Sequence, residues 1–331
     1  MATADQLKAL VRCHVDGDEE RFYAVALQVA AQAARNGHAK FAHELRELID
    51  QARARGAHEP IAAQMKPVPV VQPRGELAGL LTVSYQKVHL GAMVLEDGVR
   101  GRIERVLLEQ RQRERLQAGG FSPLRRILLI GPPGTGKTMT ASVLAGELGL
   151  PLFTIQLDGL ITKFMGETAA KLRLIFDAIQ RTRAVYLFDE FDALGSERAA
   201  RNDVGEIRRV LNSFLLFLEQ DESDSLVVAA TNHPQILDHA LFRRFDSVVT
   251  YGLPSAAMAE QVMRGRLAPL DTSRVDWPGA ADAAEGLSHA EITRACEHAA
   301  KNAILARSTA TDTDALVAAL NERRAADRSS Q

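Results

Sequence analysis

An α/β fold built on a parallel sheet and followed by a helical segment is the architecture this sequence predicts. Three observations predict it. First, short and almost unbroken apolar runs, "RRILLI", "LPLFTIQL", "AVYLFDE" and "SLVVAATN", recur between residues 125 and 232. Such runs suit strands buried on both faces of a parallel sheet. Second, helix-length segments separate them, at Thr138–Leu148, Ala169–Thr182 and Gly205–Glu219. Strand and helix alternating in this way make a wound α/β layer. Third, the strand-like texture ends at "YGLP" (Tyr251–Pro254), so the remainder reads as helical with no further strands.

The elements follow in order along the chain. Residues 1–57 predict an N-terminal helical bundle. Leu7, Leu10 and Val11, then Phe22, Ala26, Val29 and Ala30, recur at helical spacing. "GDEERF" (Gly17–Phe22) breaks the first helix and puts acids in the first turn of the next, where the helix dipole favours them. Gly37 marks a second break, before a helix carrying Phe41, Leu45 and Leu48. Residues 58–79 hold four prolines with little periodicity and read as an extended linker. The α/β domain spans 80–253, a small helical domain 254–310, and a last helix near Thr313–Arg323 with its tail 311–331.

Composition narrows the function classes. The chain has 331 residues, is 46% hydrophobic and 25% charged, and carries a net charge of −2. That is an ordinary globular balance, with no basic excess to attract nucleic acid or an anionic membrane. No apolar run approaches the ~20 residues of a membrane span. "MATADQLKAL" lacks the basic and apolar regions of a secretory signal. The two cysteines, Cys13 and Cys296, lie far apart without CxxC spacing. A cytoplasmic protein without a disulfide framework or zinc site is the expectation. The histidines show no metal-ligand spacing either.

The chemistry concentrates in "RRILLIGPPGTGKTMTASVLAGEL". It holds G-x-x-x-x-G-K-T at Gly131–Thr138, after a strand and before a helix, which is the P-loop in its required setting. Backbone N–H groups of the glycine turn and the helix N-terminus converge on phosphates. Lys137 brings charge to the β- and γ-phosphates, and the Thr138 hydroxyl suits Mg²⁺. Pro133, Gly134, Thr135, Gly136, Lys137, Thr138 and Met139 are the expected nucleotide-binding residues. "AVYLFDE" places Asp189 and Glu190 directly after a buried strand, a costly position for two acids unless they meet a cation. Asp189 is assigned to the Mg²⁺ shell beside Thr138, and Glu190 to polarising the attacking water. Asn232 ends the strand "SLVVAATN" and is placed to sense the γ-phosphate or hold that water.

Together, "GPPGTGKT", "YLFDEFDAL", "AATNHPQILDHALFRRFD" and "GLSHAEITRACEHAA" resemble the AAA-type (AAA+) ATPases over about Val88–Arg307. The resemblance implies a P-loop NTPase parallel sheet, a small helical lid, ATP and Mg²⁺ as ligands, and a hexamer whose sites are completed between subunits. It matches Gly134, Gly136, Lys137 and Thr138 to Walker A, Asp189 and Glu190 to Walker B, and Asn232 to sensor 1. Arg243 and Arg244 match the arginine fingers, in a compact "RRF" form resembling the katanin and spastin branch and leaving the main finger open. Guanidinium suits that task, being always charged and forked onto phosphate oxygens. "GLSHAEI" resembles a lid segment near adenine that usually reads Ser-Gly-Ala; His289 stands at its glycine. Ser288 with Glu291 also reads as a capping box. "KVHLGAMVLEDGV" is expected near the base.

Three kinds of work remain open: remodelling a polypeptide through a ring pore, moving on nucleic acid, or switching a partner enzyme such as a protease or defence effector. "KFMGET" discriminates. By resemblance, Lys163, Phe164, Met165 and Gly166 form a pore loop with an aromatic tip. An aromatic tip grips side chains of any sequence through buried area, whereas a DNA-tracking loop offers more cations and donors for phosphates. The reading therefore favours a protein substrate, recruited by the N-terminal bundle, over nucleic acid.

Overall fold

The structure, a computed structural model, describes residues 72–73, 75–160, 167–194, 204–236 and 239–328. These residues belong to the second of the chain's two units, Val68–Gln331. The expected N-terminal bundle, the pore loop Lys163–Gly166 and the segment 195–203 lie outside the described residues.

The α/β part runs β1 (Leu81–Tyr85), α1 (Asp97–Arg111), β2 (Arg126–Ile130), α2 (Lys137–Leu148), β3 (Pro151–Ile155), α3 (Glu167–Arg181), β4 (Val185–Phe188), α4 (Val204–Gln220), β5 (Leu226–Thr231) and β6 (Ser247–Thr250). The sheet order is β1-β3-β4-β5-β2-β6. β3, β4, β5, β2 and β6 pair in parallel, whereas β1 runs antiparallel to β3 at the edge. The mixed α/β fold with a parallel-dominated sheet agrees with the sequence reading. β1 and β6 are additions to it.

Both faces of the sheet are buried, which accounts for the unbroken apolar runs. Leu128, Phe153, Tyr186, Phe188, Val227 and Ala229 point to one core, with Ile175 and Phe176 of α3 and Phe214 and Leu218 of α4. The alternate residues Ile127, Leu129, Leu152, Leu187 and Val228 point to the other, with Ile103 and Val106 of α1 and Ala141, Leu144 and Ala145 of α2. The period of two sends successive side chains to opposite faces, so each strand needs apolar residues at every position.

The C-terminal part contains α5 (Ala256–Leu267), β7 (Asp271–Arg274), α6 (Trp277–Ala283), α7 (His289–Leu305), β8 (Ala310–Asp312) and α8 (Thr313–Arg328). Its core joins Val262, Met263, Ala280, Ile292, Ala295 and Cys296 with Leu316 and Leu320 of α8. The expectation of no strands after Pro254 fails here: β7 and β8 form a two-stranded parallel sheet. Their sequences, DTSR and ATD, are mostly polar, DTSR is largely exposed and Thr311 alone is buried, so no apolar periodicity announces them. Backbone pairing between the ends of two helical hairpins creates them instead.

Candidate functional site

Three neighbouring strands deliver the site. In the order β4-β5-β2, their C-terminal ends carry Asp189 and Glu190, then Asn232, then the P-loop. This edge is where open α/β sheets bind ligands. The loop between β2 and α2 needs glycine: Gly134 has φ +75° and Gly136 φ +105°, values that side-chain-bearing residues rarely adopt. A Cβ on Gly134 would also lie 2.5 Å from Ser288 Oγ. That contact reflects a direct bond, from the Ala290 amide at the start of α7 to the Gly134 carbonyl, 3.0 Å. The P-loop and the first turn of α7 are therefore joined through backbone.

Lys137 is buried, and its Nζ donates to the carbonyls of Gly131 and Pro132, both at 2.8 Å. Burial lowers its pKa, while Asp189 and then Asp192 oppose that shift. Its immediate partners are neutral carbonyls, so an ammonium in this setting favours an arriving anion such as phosphate. Thr138 Oγ1 donates to Asp189 Oδ2 at 2.7 Å, across 51 residues of sequence. The hydroxyl and carboxylate expected to share a cation are thus in contact. Hard oxygen donors of this kind fit Mg²⁺, and the glycine cradle with Lys137 fits a triphosphate. When bound, Mg²⁺ supplies charge that offsets the β- and γ-phosphate oxygens.

Glu190 is exposed with φ 50°, a left-handed conformation for a residue bearing a side chain. Such a conformation costs on the order of 1–3 kcal/mol and concentrates at working sites. The Glu190 amide donates to Asp189 Oδ1 at 3.0 Å, which holds the turn. Asn232 follows β5, half-buried, with its amide on Asp192 Oδ1 at 3.3 Å. The same Asp192 oxygen accepts from Thr231 Oγ1 at 3.0 Å. Asp192 is a positioning residue that sequence reading passed over. Its only signal is that it is the third acid of "DEFD", tying the turn after β4 to the end of β5.

Beside Gly136 and Met139 opens a cavity of about 610 Å³, lined also by Met93, Val94, Val262 and His289. This volume is within the range of small-molecule sites. Met93 and Val94 bring the segment 87–99 to the wall of this cavity. Glu147 on α2 holds that segment: it accepts from the Leu90 amide at 3.0 Å and from Arg111 at 2.7 Å. Behind the loop, buried Tyr251 bonds Thr140 at 2.6 Å, and Thr140 Oγ1 in turn donates to the Gly136 carbonyl. Burial raises the Tyr251 pKa to about 12. The two hydroxyls share one hydrogen bond behind the loop.

At the start of α7, Ser288 Oγ accepts from the Glu291 amide, as half of a capping box. The other half is absent: the Glu291 carboxylate turns to Arg294 at 3.0 Å. Arg243 and Arg244 are exposed at the turn before β6. Arg244 pairs with Glu219 near the end of α4, and Arg243 has no ion pair among the described residues. The structure does not join either arginine to the P-loop of its own chain through any hydrogen bond or ion pair among those residues.

Comparison with known proteins agrees with this geometry. Residues 127–253 match the family model "ATPase family associated with various cellular activities (AAA)". The chain is 33% identical over 309 residues to the uncharacterized AAA family ATPase y4kL of Sinorhizobium fredii, covering 93% of this chain and 91% of that one. It is 36% identical over 236 residues to the ATP-dependent zinc metalloprotease FtsH of Acidothermus cellulolyticus, covering 67% of this chain but 35% of FtsH. The match thus spans about a third of that relative. The crystal structure of the FIGL-1 AAA domain superposes with a TM-score of 0.60 at 23% identity, over 78% of this chain and 92% of that one, a likeness of fold. No helix among the described residues is long and apolar enough to cross a membrane. An AAA family ATPase matched over nearly the whole chain, joined to a P-loop, an acidic strand end and a polar third strand, gives one conclusion: the chain belongs to the AAA family and is an ATPase.

Proposed function

We propose that this protein is a Mg²⁺-dependent ATPase ring that remodels or translocates a protein substrate. The observation that carries the reading is the Thr138–Asp189 bond at 2.7 Å, which places the proposed cation ligands together at the strand ends. Pro133 to Met139 hold the nucleotide, with Lys137 exchanging its loop carbonyls for phosphate oxygens. Glu190 orients a water and takes its proton, and Asn232, steadied by Asp192, keeps that water in line. General-base help of this kind contributes roughly 10²–10⁴-fold.

The exposed Arg243 and Arg244 act in trans, on the γ-phosphate held by the next subunit of a hexamer. Arg243, without an ion pair among the described residues, is the one free to reach; Arg244 must first leave Glu219. The domain division follows the same logic. Residues 1–57 recruit, 58–79 tether, 80–253 hydrolyse, and the lid from 254 closes over the base with the helix after 311. Phe164 and Met165, flanked by Lys163 and Gly166, grip the substrate in a cytoplasmic setting. A second reading, a nucleotide-gated activator of a partner enzyme, draws support from the similarity to FtsH, a metalloprotease whose name makes it ATP-dependent.

One experiment separates these and tests the shared site. ATPase activity is measured for Lys137→Ala chains mixed with Arg243→Ala/Arg244→Ala chains, with and without a permanently unfolded polypeptide. Each variant alone is expected to be inactive and the mixture to recover part of the activity, since hybrid interfaces pair an intact loop with intact fingers. No recovery in confirmed hybrids would remove the trans assignment. Stimulation by the unfolded chain in wild type that is lost in Phe164→Ala supports remodelling; its absence in wild type favours the activator.

A further inference from the structure

We infer that Asp246, together with Arg126, positions Arg243 and Arg244: a chain that lends these arginines to a neighbour needs it, and a chain that only receives them does not. The inference rests on the reading above, in which the two arginines act on a nucleotide held by the next subunit.

Asp246 stands at the turn that leads into β6, two residues after Arg244. Its amide donates to the Arg126 carbonyl at 2.9 Å. Its carboxylate Oδ2 accepts the amides of Arg125 and Arg126, both at 2.9 Å. One residue is thus tied to the start of β2 in both directions, and bonds to a carboxylate are the stronger kind. Phe245 beside it is buried in the core that carries the aromatic rings. The Arg244 amide donates to the Leu241 carbonyl at 3.0 Å. The backbone beneath the two arginines is therefore fixed, while their side chains stay exposed.

Arg126 also reaches the element on which Arg244 rests. Its guanidinium donates to the Asp221 carbonyl at 3.0 Å and to the Glu219 carbonyl at 3.4 Å, where α4 ends. Glu219 is the ion-pair partner of Arg244. The root of the arginine turn and the carboxylate that docks Arg244 are thus both held by Arg126. None of these bonds touches the nucleotide site of the same chain. Arg126 is the first residue of β2, and the P-loop begins after its last, Ile130, so strand rise alone sets them roughly 13 Å apart. Misplacing a catalytic group by about 1 Å can cost about a hundredfold in rate. A residue that fixes this turn therefore governs turnover without meeting the nucleotide.

ATPase activity of the full chain, alone and in mixtures, tests this. Asp246→Ala alone is expected to lose about tenfold in kcat while keeping its ATP affinity within about threefold of wild type. Mixed with Lys137→Ala chains it should regain activity, because its intact loop then meets well-placed arginines. Mixed with Arg243→Ala/Arg244→Ala chains it should regain none, because neither kind supplies them. A general folding defect would spoil both mixtures alike. Asp246→Asn keeps an acceptor at this position and should show the same asymmetry with a shallower loss of about threefold; it carries the test if Asp246→Ala does not fold. Wild-type turnover in the folded variant would overturn the inference, as would recovery with the chains that lack both arginines. The mixture of Lys137→Ala with Arg243→Ala/Arg244→Ala is the reference. If it recovers while Asp246→Ala with Lys137→Ala does not, in confirmed hybrids, the inference alone fails. If the reference also stays inactive, the trans reading has failed and the inference falls with it.

Discussion

The two faces of the sheet are built from different materials. On the α3–α4 side, aromatic rings pack in two groups. Phe153 stacks on Tyr186 at 5.0 Å, Phe188 meets Phe214 edge-on at 5.0 Å, and Phe191 tilts against Phe214 at 4.7 Å. On the α1–α2 side, the buried residues are aliphatic or small, and Tyr251 is the one aromatic among them. Large rings fill volume and contribute stability from area and ring geometry. Small residues such as Ala141 and Ala145, both fully buried, let the P-loop helix approach the strands closely. One face holds the domain together, and the other fixes where the phosphate loop lies.

Substitutions on each face put that contrast at risk. Phe214→Ala should have the largest effect, a loss of about 3–5 kcal/mol of stability from transfer and cavity terms. Thermal or denaturant unfolding reads it, and the ATP affinity of the folded protein should not change. A large change in affinity with little loss of stability would break the division of labour. On the opposite face, Tyr251→Phe removes the hydroxyl that completes the chain through Thr140 to Gly136. A loss of about 0.5–1.5 kcal/mol is expected, accompanied by a raised KM for ATP with kcat nearly unchanged. If KM stays put, the tyrosine is packing alone.

Glu147→Gln should give the smallest effect. The Leu90 amide first, and then the Arg111 pair, hold the Glu147 carboxyl below its ordinary pKa, and nearby His89 adds to this. A depressed carboxyl pKa means that the folded state binds fewer protons, so its stabilisation is present above the unfolded value of 4.5 and fades as pH falls through the folded one. Unfolding midpoints followed downward from pH 5 should fall less steeply in Glu147→Gln than in wild type. Equal slopes would show that the anchor of the 87–95 segment has no electrostatic part.

Much of this was legible in the sequence, and the exceptions share a cause. β2 to β5 announce themselves because burial on both faces demands apolar residues at every position, and the P-loop because glycine spacing reflects backbone geometry. β1 lies at the edge with Thr82 exposed, and β6 is partly exposed, so neither carries a full apolar run. β7 and β8 exist through their pairing alone. The site residues divide along the same line. Lys137, Thr138, Asp189, Glu190 and Asn232 could be named from motif positions. The left-handed turn at Glu190, the brace at Asp192 and the bonds of Asp246 to the start of β2 depend on which distant segments meet. Arg243 and Arg244 are visible as a motif, but the pairing of Arg244 with Glu219 is a tertiary fact.

The hydrogen bond between the Ala290 amide and the Gly134 carbonyl makes the molecule carry its own gauge. A single backbone proton is sealed only while the first turn of α7 rests on the phosphate loop. Its exchange with deuterated solvent can proceed only through openings that part the two, and the exchange rate converts directly into the free energy of that opening. Followed with and without nucleotide, this one amide would report how far nucleotide holds α7 on the phosphate loop, in the native chain and with no label attached.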